Sequence, residues 1–66
     1  MIVQVNGKQA SVDDAATVGH VVQLSAPGAR RAAVALNGEV VPRTAWDTTV
    51  LGAGDALEVL VPVAGG

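Results

Sequence analysis

Sixty-six residues, half of them hydrophobic and 15% charged, suffice for one small domain and leave no room for a substrate pocket beside the core. The absence of cysteine excludes disulfides, thiolate metal sites and a cysteine nucleophile, so the fold must rest on packing. A formal net charge of −2 argues against nucleic acid as a partner, and no run approaches the ~20 apolar residues of a membrane span. Residues 1 to 7 carry neither a basic n-region nor a long apolar stretch, so a cytoplasmic setting is expected.

Met1, Val3 and Val5 alternate with Ile2 and Gln4, the period of a first strand. Asn6-Gly7 supplies the two positive-φ positions of a type I′ turn, so Lys8 to Val12 is expected to fold back as the second strand of a hairpin. From Asp13 to Ser25 the period changes: Val18, Val21, Val22 and Ser25 share a helical face, with Leu24 near its edge. Thr17 is the expected N-cap, and Ser11 with Asp14 offers an earlier, capping-box-like start. Asp13 and Asp14 read as helix-start acids favoured by the positive end of the dipole, not as a catalytic pair. Gly19 costs the helix about 1 kcal/mol relative to Ala. Pro27-Gly28 ends it. At barely two turns, such a helix is stable only when packed on a sheet.

Ala33 to Leu36 reads as a third strand, with Val34 and Leu36 facing inward and Ala33 and Ala35 outward; Asn37-Gly38 then turns the chain into Glu39-Val40-Val41. Pro42 has no N–H for a ladder, which puts this fourth strand at an edge. Arg43 to Val50 is too short and mixed for a helix and reads as a turn carrying Trp46. Gly52-Ala53-Gly54-Asp55 is turn chemistry, after which Ala56 to Val63 forms the last strand. There Leu57, Val59, Val61 and Val63 alternate with Glu58, Leu60 and Pro62, and a strand apolar on nearly both faces belongs at a sheet centre under a helix. The intervening helix is the crossover that would make the first and last strands parallel neighbours. The fold class is therefore α+β, a mixed sheet of about five strands with one short helix packed across it, resembling the β-grasp of ubiquitin. Residues 1–66 form one domain, with a flexible tail at 64–66.

No side-chain constellation reads as an enzyme site. His20 is the sole histidine and fits a solvated helix edge better than a general base. Gly52 and Gly54 lie between a turn and a strand, the wrong context for a phosphate loop. Trp46 is expected to lid the small core. Arg30, Arg31 and Arg43 read as solvated surface charges. Leu60, with Ala35 beside it on a neighbouring strand and Pro62 further on, is a candidate apolar docking surface for a partner.

The chemistry is expected at the end of the chain. An apolar strand leads without a linker into Ala64-Gly65-Gly66, and glycine's conformational freedom makes a thin tail that can enter a narrow cleft, although frayed ends are often functionless. Asn37-Gly38-Glu39-Val40-Val41-Pro42-Arg43, then Trp46, then Leu-Gly-Ala-Gly-Asp from Leu51 to Asp55, and Val-Pro-Val-Ala-Gly-Gly from Val61 to Gly66 together resemble the ThiS-type sulfur-carrier proteins of thiamine (thiazole) biosynthesis. The resemblance spans the chain and is densest from Ala35 onward; Gly19-His20 departs from the stronger helix formers usual there. It implies a carrier without catalytic side chains. A separate ThiF-type adenylyltransferase would activate the Gly66 carboxylate with ATP and Mg²⁺, cofactors of that partner and not of this chain. Sulfur supplied through a cysteine desulfurase would then leave a thiocarboxylate, delivered to a ThiG-type thiazole synthase. A carrier of the same fold serving molybdopterin or cysteine synthesis, and a ubiquitin-like binding module or protein tag, are the alternatives.

Overall fold

The computed structural model describes residues 1–28 and 31–62. Strand β1 (Ile2–Val5) and strand β2 (Lys8–Ser11) form the N-terminal hairpin, with Val3 opposite Ala10 and Val5 opposite Lys8. Its turn is of the expected kind: Asn6 and Gly7 take φ of 52° and 81°. Helix α1 (Val18–Ser25) crosses to strand β3 (Ala33–Leu36), which turns through Asn37 and Gly38, at φ 51° and 86°, into strand β4 (Glu39–Val41). A single 3-10 turn, Arg43–Ala45, sets Trp46 before strand β5 (Ala56–Leu60) completes the sheet.

The strand order is β2-β1-β5-β3-β4. β5 runs parallel to β1 and antiparallel to β3, so the last strand is central and β4, with Pro42 behind it, is an edge. One sheet face carries Val3, Val34, Leu57 and Val59, which form a single core with Val18, Val21 and Val22 of α1. Burial of these aliphatics, at about 1.5–3 kcal/mol per fully buried side chain, is what holds a two-turn helix in place. Met1, Val5 and Leu36 are partly buried against that core. Among the described residues no helix is long and apolar enough to cross a membrane.

Three expectations need correcting. Asp13 and Asp14 do not start the helix, whose first turn holds no acidic residue. Instead Ala16 is buried, Thr17 bridges Val50, Leu51 N–H donates to Ala16 O at 2.9 Å and Val18 N–H donates to Thr49 O at 3.0 Å. These ties fix the helix start at Thr17, whose hydroxyl accepts from His20 N–H at 3.2 Å, while Asp14 sits 3.4 Å from the Met1 amino group. β2 stops at Ser11, although Val12 N–H still donates to Met1 O at 2.9 Å and Val12 is buried. β5 stops at Leu60, where its last partner, Ala33, begins β3, and Pro62 has no N–H to extend a ladder. Val61, expected within the strand, is therefore 48% exposed, and Val63 lies outside the described residues.

Candidate functional site

β5 leads to the glycine tail, so the site is built from what surrounds its end. Ala64, Gly65 and Gly66 lie outside the described residues; Leu60, Val61 and Pro62, all exposed, are the last positions before them. On the sheet face away from the helix, Leu60 stands opposite Ala33, and Ala35 stands opposite both Glu58 and Val40. Ala35 is thus diagonal to Leu60 and not beside it. The direct neighbour is Ala33, and Val40, 79% exposed against 65% for Leu60, adds a second exposed large aliphatic to this face. Which face Val40 takes depends on the β3–β4 register, which the Asn37-Gly38 turn sets. With two-residue turns and alternation, that register was in principle legible. Glu58 places one carboxylate among these aliphatics.

Side-chain amides brace β5 at both ends. Asn6 Nδ2 donates to Val59 O at 3.1 Å and Asn6 Oδ1 accepts from Val59 N–H at 2.8 Å. Asn37 Oδ1 accepts from Ala56 N–H at 3.0 Å, and its Nδ2 donates to Asp55 Oδ1 at 3.1 Å. Asp55 Oδ2 also accepts from Gly52 N–H at 2.7 Å, closing the turn before the strand. These donors, the Gly52 N–H first and the Asn37 amide second, hold the Asp55 carboxyl below its ordinary value of 3.8, because both favour the ionised form. Gly52 and Gly54 are turn residues, as expected; Gly54 takes a φ of 83°.

The other singled-out residues form no reacting group. His20 is exposed on α1. Trp46 is 8% exposed and closes the core as a lid, with its indole N–H donating to Val41 O at 2.9 Å. Arg43, expected to be simply solvated, lies over the Trp46 ring at 5.4 Å from the centroid. Arg31 is exposed, and Arg30 falls outside the described residues. A shallow concavity of about 330 Å³ runs between Gly19, Val22, Arg43, Trp46 and Asp47, and among the described residues no three potential metal ligands converge.

A mixed five-stranded sheet with a parallel central pair, crossed by one helix and extended past its central strand, defines a small ubiquitin-like β-grasp protein. The ThiS family model matches residues 3–66, so the chain belongs to the ThiS family. The crystal structure of a thiamine biosynthesis protein (ThiS) from Geobacter metallireducens shares 39% identity over 100% of both chains, with a TM-score of 0.81. An NMR solution structure of a thiamine biosynthesis protein from the same organism matches at 39% identity over 100% of this chain and 88% of that one, with a TM-score of 0.79. The crystal structure of SAMP1 from Haloferax volcanii, at 22% identity over 98% and 97% of the two chains and a TM-score of 0.61, shares the fold. No curated protein matches the chain.

Proposed function

We propose that this protein is a sulfur carrier of thiamine biosynthesis whose working group is the carboxylate of Gly66. The observation that carries this reading is a family match running through Gly66, on a chain whose central strand leads into those residues. A carboxylate is ionised at neutral pH and resists attack by a nucleophile, so it needs activation. An ATP-dependent adenylyltransferase of the ThiF type would join the Gly66 carboxylate oxygen to the α-phosphorus of ATP and release pyrophosphate. The terminal sulfur of a persulfide, generated by a cysteine desulfurase, then attacks the acyl carbon and displaces AMP. Two-electron reduction of the resulting S–S bond by a thiol leaves the thiocarboxylate. Its sulfur is the nucleophile passed to thiazole synthase, and this chain supplies no catalytic side chain. Mg²⁺ and ATP belong to the activating partner.

Ala64, Gly65 and Gly66 span at most about 10 Å when extended, so the domain itself must dock for the terminus to reach a buried active site. The apolar face of Leu60, Ala33, Ala35 and Val40, with Pro62 at its margin, is where that docking is assigned. The test is pyrophosphate exchange catalysed by the activating enzyme. Exchange should depend on the full chain and vanish when Gly66 is deleted, while the circular dichroism spectrum stays the same. Exchange that survives the deletion would refute the assignment.

A further inference from the structure

The end of β5 nearest the tail is held on one side by a side chain instead of a strand. β1 pairs with β5 at Gln4–Ala56 and Val5–Leu57, and then turns away through Asn6-Gly7. Asn6 N–H still donates to Leu57 O at 2.9 Å, the last backbone bond of that ladder. The next rung would need both the N–H and the C=O of Val59, a residue only 6% exposed, and unpartnered buried peptide groups are costly. The Asn6 amide supplies both, donating to Val59 O at 3.1 Å and accepting from Val59 N–H at 2.8 Å. A primary amide offers the same donor and acceptor as a peptide unit, so the side chain takes the place of the absent strand residue. Asn37, in the equivalent turn at the other end of β5, makes one bond to backbone, at Ala56, and one to the Asp55 side chain.

We propose that Asn6 is a positioning residue for the tail. By standing in for a strand at Val59 it fixes the root at Val59 and Leu60 from which the chain leaves the sheet, so that a docking partner meets that root already in place. The proposal rests on the carrier reading above. Ordering a loose root on docking costs affinity, whereas one already held does not, and the loss appears in KM and not in the chemical step.

Asn6→Gly and Asn37→Gly test this, because glycine takes the positive φ of each turn without strain and only the amide is removed. With the full chain and the adenylating enzyme, N6G should lower kcat/KM about five- to tenfold, through KM, while N37G stays within about twofold of wild type. By NMR, the Val59 amide of N6G should exchange about tenfold faster than that of N37G. An active wild type with N6G indistinguishable from N37G in KM, or with Val59 equally protected in both, overturns the proposal. A wild type that the enzyme does not adenylate sinks the carrier reading instead, and the exchange comparison then still decides whether the Asn6 amide holds Val59.

Discussion

Replacing Trp46 with Phe tests how much this domain depends on its single aromatic residue. The indole N–H donates to Val41 O at 2.9 Å, a bond worth about 1 kcal/mol, and phenylalanine leaves that carbonyl to water. The Arg43 guanidinium lies 5.4 Å from the ring centroid at an exposed site, where such a contact contributes about 0.5 kcal/mol, and a smaller ring weakens it. Trp46 is 8% exposed, and the part of the ring lost from the core adds roughly another 1 kcal/mol of burial and cavity cost. The sum is about 2–2.5 kcal/mol. A chain of 66 residues has a total stability of roughly 3–10 kcal/mol, so the substitution removes between about a fifth and most of it. Thermal unfolding followed by far-UV circular dichroism should show a Tm lower by about 8–20 °C. A fall of less than about 3 °C would refute the reading of Trp46 as a hydrogen-bonded lid.

Gly19→Ala should stabilise the protein by about 0.5–1 kcal/mol, read as a higher urea midpoint. A Cβ there would strike only the Asp47 carboxylate, the far end of an exposed side chain that can rotate away, and would meet the Trp46 carbonyl carbon at an ordinary 3.6 Å. A destabilised variant would mean that Asp47 is held. Asp55 gives a pH dependence. Its folded-state pKa is depressed, so its contribution is present above the unfolded value near 3.8 and is lost as pH falls through the lower folded value. Urea midpoints should drop for wild type below pH 3.8 and drop less for Asp55→Asn; parallel curves would contradict the assignment. Leu60→Glu should leave the Tm within about 2 °C, because the residue is 65% exposed, while raising the KM of the activating enzyme about tenfold. An unchanged KM would move the docking surface elsewhere.

Local chemistry was readable wherever one residue type decides the backbone. Both Asn-Gly turns, the Thr17 cap, Pro42 at an edge and the central position of β5 follow from φ preferences, missing donors and alternation. What stayed hidden was set by tertiary contacts. Ala16 and Leu51 enter the core because the Thr17–Val50 bridge folds two loops together, and nothing local to either residue signals that. The amides of Asn6 and Asn37 were legible as turn formers, yet their second role appears only once β5 lies between the two turns. On the outer face Leu60 stood out by its size, whereas its neighbours depend on strand register.

The proposed chemistry comes down to one atom at the terminus of Gly66. Intact-mass spectrometry of the full chain, after incubation with the adenylating enzyme, ATP, cysteine and a desulfurase, should show a gain of about 16 Da from exchange of one oxygen for sulfur, mapped to the terminal glycine by fragmentation. An unchanged mass, or an isopeptide link from Gly66 to a lysine of another protein, would contradict the account.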